Sequence, residues 1–155
     1  MNSQTKRQKR TVGDVVKIDH GDGFHSYARV LDEATFAFYD CRTRDDLAVD
    51  SIVTRPILFQ VPVMDYAVKR GLWKIVGSAP LEEQLRHPTP RFMQDVMKPT
   101  SFSIYEEGKI RPATKEECVG LERAAVWSPS HVEDRLRDHY AGRTNVWAES
   151  LKIKD

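Results

Sequence analysis

The sequence predicts an α+β fold: a small, strongly curved antiparallel sheet or partial barrel, with a few short helices and a capped helix toward the C-terminal end. Three observations lead there. Short segments with apolar residues at every second position recur from Val12 onward, separated by turn-forming residues. Two later segments pair a Ser or Thr with a Glu three residues on, the signature of a helix start. At 155 residues the chain has the length of one ordinary domain with one core.

The first elements form a meander. Val12, Val16 and Ile18 mark one strand, Asp22-Gly23 supplies a turn, and Phe24 to Leu31 returns as a second strand. After the polar break at Asp32-Glu33, Phe36 and Phe38 alternate with Ala37 and Tyr39, a third strand ending near Asp40. Residues 41–55 are charged and mixed, with Leu47, Ile52 and Val53 as anchors, and predict a connection with one helical turn. The run Pro56 to Pro62 is apolar and bounded by prolines, the pattern of a strand buried on both faces at the centre of a sheet. Met64 to Gly71 has helical spacing with Gly71 as its stop, and Trp73 to Val76 resumes the strand pattern.

The second half is looser. Leu81 to Leu85 fits a short helix, Phe92-Met93 a short edge strand, and residues 101–111 a hairpin turning at Glu107-Gly108. Thr114 with Glu117 starts a short helix that Gly120 ends. A longer helix begins either at Ser128-Pro129 or at Ser130 with Glu133. Its apolar stripe is Val132, Leu136 and Tyr140, its outward residues are Arg135, Arg137 and Asp138, and Gly142 stops it.

Charge divides the chain. The total is 24 Lys+Arg against 23 Asp+Glu, but residues 1–10 hold Lys6, Arg7, Lys9 and Arg10 with no acid, leaving a mildly acidic remainder. Residues 1–11 read as a disordered basic arm and 12–155 as a single α+β domain, with 114–155 a candidate helical extension. The balance demands neither nucleic acid nor an anionic membrane, and no run reaches the eighteen or so apolar residues of a membrane helix. With no apolar stretch behind the basic start, the expected address is the cytoplasm. Cys41 and Cys118 are too few for a disulfide framework and read as reduced, buried thiols.

Asp19-His20-Gly21-Asp22-Gly23-Phe24-His25 gathers two imidazoles and two carboxylates, yet glycines stand where a calcium loop needs ligands, so the segment reads as an exposed polar turn. A Cys41 nucleophile needs a positioned histidine, which the spacing of His20, His25 and His131 does not supply. His131 and His139 lie some 80° apart on their helix, poor geometry for a shared metal. There is no glycine-rich phosphate loop, serine elbow or paired-cysteine motif. What remains is acid in small blocks: Asp40, Asp45, Asp46 and Asp50, then Glu82-Glu83, Glu106-Glu107 and Glu116-Glu117. If these converge they form a patch able to steer a basic partner.

Several ordered blocks carry a resemblance: Gly13-Asp14-Val15-Val16-Lys17-Ile18, Tyr27-Ala28-Arg29-Val30-Leu31, Phe38-Tyr39-Asp40, Pro56-Ile57-Leu58-Phe59, and Trp73-Lys74-Ile75-Val76-Gly77 with Pro80-Leu81. Over roughly residues 12–105 the chain resembles the immunity protein 26 family of bacterial polymorphic toxin systems. The resemblance implies a cytoplasmic antidote that binds the toxin domain, at the C-terminal end of a cognate secreted or contact-delivered effector, and blocks it. It implies no catalytic residue, no metal and no cofactor, and it makes Gly13, Phe38, Tyr39 and Trp73 determinants of the fold. The expected mechanism is steric and electrostatic occlusion, with Asp45, Asp46, Glu82 and Glu83 as candidate partner-binding residues. The rival reading is a small-barrel nucleic-acid-binding or regulatory module, with the basic arm on phosphates.

Overall fold

Alternation from Val15 onward builds the first of two sheets in the computed structural model, which describes residues 6–155. Strands β1 (Asp14–Asp19), β2 (His25–Val30), β3 (Thr35–Tyr39), β4 (Ile57–Pro62) and β5 (Lys74–Ser78) pair antiparallel in the order β4-β3-β2-β1-β5. The expected meander is its centre, with Val16 opposite Ala28 and Ala28 opposite Phe38. Later strands make a second sheet. There β6 (Arg91–Gln94), β7 (Phe102–Glu106), β8 (Lys109–Ala113) and β9 (Glu122–Arg123) run in the order β8-β7-β6-β9, with only β9 parallel to its neighbour. The molecule is α+β, and neither sheet closes on itself.

The first sheet is covered on both faces. On one, Val16, Ile18, Ala28, Val30, Phe36 and Phe38 pack against Trp73 and Trp127. Helices α2 (Tyr66–Lys69) and α4 (Pro129–Ala141) lie over them through Val68, Val132 and Leu136. Trp73 is fully buried and meets Phe36 and Phe38 edge-on at 5.3 and 5.7 Å, while its indole N–H donates to Glu133 at 2.9 Å. A side chain withdrawn this completely contributes about 1.5–3 kcal/mol through area alone. On the other face, Val15, Tyr27, Tyr39 and Cys41 pack under Ile52 of α1 (Val49–Val53), and Leu31 and Ala37 under Leu85 of a single 3-10 turn (Glu83–Leu85). Two covered faces explain why every residue of β2 is buried.

That arrangement corrects the reading of residues 56–62. β4 is an edge strand rather than the centre, and its apolar character comes from helices and loops on both sides rather than from flanking strands. Phe92 and Met93 are displaced the other way: β6 lies inside its sheet, between β7 and the two-residue β9. The helix after Met64 spans only Tyr66–Lys69, and the helix expected at Leu81–Leu85 shrinks to the 3-10 turn.

Cap chemistry settles the helical starts. Thr114 and Glu117 form a complete capping box on α3 (Lys115–Cys118). For α4, Ser128 accepts from the His131 N–H with Pro129 in the first turn, and Gly142 ends the helix at φ +69°. Arg135 and Arg137 do not face outward as expected. Arg135 makes a paired hydrogen bond to Glu122 at 3.0 and 2.8 Å and lies 3.7 Å over the Phe59 ring, and Arg137 donates to the His20 carbonyl. A fifth helix, α5 (Val146–Ser150), begins at the Asn145 cap and had no expectation in the sequence reading.

Of the expected disordered arm, residues 1–5 lie outside the described residues, and part of the rest is docked. The Gln8 amide donates to the Val68 and Trp73 carbonyls at 2.9 Å and accepts from the Ile75 N–H. Arg10 donates to the Thr35 carbonyl and lies 4.9 Å over the Phe36 ring. Both side chains find partners on the sheet that solvent would otherwise have to satisfy.

Candidate functional site

Two acidic loops reach over the same face of the first sheet. The first, between β3 and α1, is pinned by β2. His25 Nε2 donates to the Asp45 carbonyl at 2.9 Å, which fixes the proton on that nitrogen because a carbonyl only accepts. The Tyr27 hydroxyl receives the Leu47 N–H at 3.1 Å. These contacts leave the Asp45 and Asp46 side chains exposed. Asp46 pairs with Lys17 of β1 at 3.0 Å, and that hydrogen bond holds its carboxyl below the ordinary range.

The second loop, between β5 and the 3-10 turn, hangs from one side chain. Arg29 of β2 is fully buried. Its guanidinium donates to the carbonyls of Gly13, Ala79 and Pro80 at 2.9, 2.9 and 2.7 Å, to the Tyr39 hydroxyl at 3.0 Å and to Glu82 at 3.4 Å. Gly13 stands at φ +98°, with the Ala79 carbonyl 3.0 Å from where a Cβ would lie, so the chain passes closely enough for Arg29 to tie both segments. Lys17 faces Tyr27 across the ladder, two residues before Arg29, so the anchors of the two loops lie about 7 Å apart along β2.

The four candidate acids therefore divide. Glu82 is the counter-ion of the buried Arg29 guanidinium, at a long 3.4 Å. Asp46 and Glu83 sit in exposed ion pairs, with Lys17 and Arg86, of a kind that adds little to stability and is readily exchanged for a partner's cation. Asp45 forms no ion pair among the described residues. The other acidic blocks are used locally: Asp40 accepts from Tyr140, Glu107 bonds His87, and Glu117 caps α3.

The histidines of the Asp19–His25 segment are inside the protein, contrary to the expected exposed turn. His20 Nε2 bonds Ser26 at 2.8 Å, and His25 is fixed between Tyr27 and Asp45. Among the described residues no three His, Cys, Asp or Glu side chains come together as a metal site would require. Cys41 and Cys118 are free and buried, and burial pushes both thiols up, away from the nucleophilic thiolate. Among the described residues no helix is long and apolar enough to cross a membrane.

One surface feature escaped the sequence reading. The β6–β7 loop presents Val96 and Met97, 90% and 91% exposed. It is nonetheless stiff: Asp95 accepts from the Met97 and Lys98 N–H groups, its own N–H donates to Ser101, and Gln94 holds the Pro99 carbonyl. Apolar side chains standing in water on a backbone already pinned gain from being covered, without the cost of ordering the loop. The signal was two apolar residues inside a polar turn, out of step with the neighbouring alternation.

Compared with known proteins, residues 11–103 match the family described as immunity protein 26, while no curated protein and no solved structure matches. The matched span contains the whole first sheet and both acidic loops.

Proposed function

The chain belongs to the immunity protein 26 family, and from that premise we propose that it is an antidote: it binds the toxin domain of a cognate polymorphic or secretion-system effector in the bacterial cytoplasm and blocks it. The family match is the observation that carries this reading. The reading is of a stoichiometric binder, with no turnover of its own. The mechanism is occlusion. Asp45, Asp46 and Glu83 offer carboxylates to a basic toxin surface, and Asp46 and Glu83 exchange weak pairs within the chain for pairs across the interface. The Val96-Met97 loop supplies an exposed apolar contact for a partner to cover. Glu82 stays with Arg29.

The test starts with the toxin-bearing reading frame beside this gene. Its C-terminal domain is expected to co-purify with the chain and to lose its toxicity when the two are co-expressed. Charge reversal at Asp45 and Asp46 together is expected to slow association about tenfold at low salt, with the gap narrowing as salt rises. An unrestrained toxin would overturn the reading, and an unchanged association rate would remove these acids from the interface. The nucleic-acid alternative loses one of its four basic arm residues, since Arg10 is spent on Thr35 and Phe36, while Lys6, Arg7 and Lys9 stay exposed.

A further inference from the structure

The turn between β2 and β3 is built from residues that resist its shape. Glu33 and Ala34 stand at φ +54° and +60°, where Asn and Gly are the usual occupants, at a cost of about 1–2 kcal/mol per residue. The turn is held from outside and within. The Val63 N–H donates to the Ala34 carbonyl at 3.0 Å, the Thr35 N–H closes on Asp32, and the Tyr105 hydroxyl of β7 donates to the Glu33 carboxylate. Strain held in place by its surroundings is a reason to look at what lies beside it.

Beside it is a cleft of about 350 Å³ between the two sheets. Ala34, Pro62 and Val126 supply apolar wall, Glu33 and Tyr105 a polar rim, and Arg91 of β6 the cation. Arg91 is only 6% exposed, and beyond the Tyr105 ring, whose centre lies 5.3 Å from its guanidinium carbon, that group is poorly served. One Nη reaches the Thr35 hydroxyl at 3.5 Å, the limit of a hydrogen bond, and Nε is buried with no partner. The other Nη makes no hydrogen bond among the described residues and is not sealed from solvent, so it is the nitrogen that opens to the cleft. No carboxylate among the described residues forms an ion pair with it, and Glu33 is turned to Tyr105 instead. An arginine cannot escape burial by losing its proton. A cation in this position is costly until an anion meets it.

We propose that this cleft is a binding site for a monocarboxylate with a small branched apolar body. The carboxylate sits on the open edge of the Arg91 guanidinium, and the body lies against Ala34, Pro62 and Val126. The shared chemistry is the acid group, borne either by a free organic acid or by the C-terminus of a peptide. A dianionic phosphate fits poorly, because a single arginine faces it and Glu33 stands on the rim. The same acid makes affinity modest, in the millimolar range. The site is separate from the acidic face and stands whether or not the chain restrains a toxin.

The test is a titration of the isotope-labelled protein, following the Arg91 Nε–Hε resonance by NMR at ionic strength fixed with chloride. Three probes are used: 4-methylpentanoate, its neutral amide, and the free acid of acetyl-Ala-Leu. Both acids are expected to shift the resonance saturably, with dissociation constants of about 1–10 mM, and the amide to leave it in place. A dipeptide about tenfold tighter than the simple acid identifies a chain terminus as the source, and equal or weaker binding identifies a free acid. Glu33→Gln, which keeps an acceptor for Tyr105, is expected to tighten binding about threefold to tenfold. Arg91→Lys is expected to weaken it at least tenfold. No saturable shift with either acid up to about 50 mM, or an amide that binds equally well, overturns the proposal on the unmodified protein. So does an Arg91→Lys variant that binds as tightly with its backbone spectrum otherwise intact.

Discussion

Replacing Arg29 with methionine tests whether the second acidic loop depends on one buried side chain. The substitution removes donors to three carbonyls, one hydroxyl and one carboxylate, gathered at the end of the first sheet where the chain enters β1 and leaves β5. Hydrogen bonds from a charged donor are worth about 1.5–3 kcal/mol each, but bonds made by one group are not additive. Removing one partner of a buried charged network costs about 3–5 kcal/mol in all. Methionine recovers part of the lost packing, so the expected loss is about 3–4 kcal/mol, a large share of a domain's total stability. Glu82→Gln, which trims a single 3.4 Å contact to a half-exposed carboxylate, is expected to cost less than about 1 kcal/mol. Urea unfolding followed by tryptophan fluorescence measures both, since Trp73 is buried in the same sheet's core. A loss below about 1 kcal/mol in the methionine variant, with unchanged slope against urea, would refute the assignment of Arg29 as the loop's anchor.

Gly77→Ala places a Cβ 2.5 Å from Val49 Cγ2 of α1, and is expected to cost about 1–2 kcal/mol. In a Val49→Ala background the same change is expected to be neutral or slightly stabilising, and a double-mutant cycle without coupling would remove this contact from the account. Stability is also expected to fall as the solution is acidified below about pH 6.5. Burial lowers the pKa of His20, with Arg42 and Arg137 acting in the same direction and Asp19 and Asp22 against them. The unfolded chain thus takes up the proton first, and the loss runs down to the folded-state value. The slope is at most about 1.4 kcal/mol per pH unit, and calorimetry across pH 5–7 on the protein and on His20→Gln should show it disappear in the variant. Val96→Ser with Met97→Ser is expected to leave the thermal midpoint within about 2 °C, because no core contact is lost. The pair is expected to weaken toxin binding at least tenfold by calorimetric titration, and unchanged affinity would take this loop out of the interface.

Much of the first sheet was legible because its strands carry period-two alternation with turn residues between them, and β1 to β3 lie within one or two residues of their expected limits. The cap of α3 was equally readable, since Thr114 with Glu117 acts through local chemistry that needs no tertiary context, whereas α4 had two starts with equal local chemistry until the fold chose Ser128 over Ser130. Position within a sheet was not. Pro56 to Pro62 reads as a centre because periodicity reports burial without reporting what does the burying. The acids themselves were visible, but their division was not. Only the fold reveals that Glu82 answers a buried arginine 53 residues earlier while the Asp45 carboxylate forms no ion pair among the described residues. His20 and His25 failed for the same reason, their partners lying across a turn that composition alone marks as polar.

The docking of Gln8 covers part of an open sheet edge. β5 is an outer strand of its sheet, and the Ile75 N–H that would invite a neighbouring chain is already taken by a side-chain carboxamide imitating a strand's backbone. Trimming the chain past this glutamine would uncover a sticky seam. Variants begun at Thr11 are then apt to pair or precipitate for reasons unrelated to any lost basic charge.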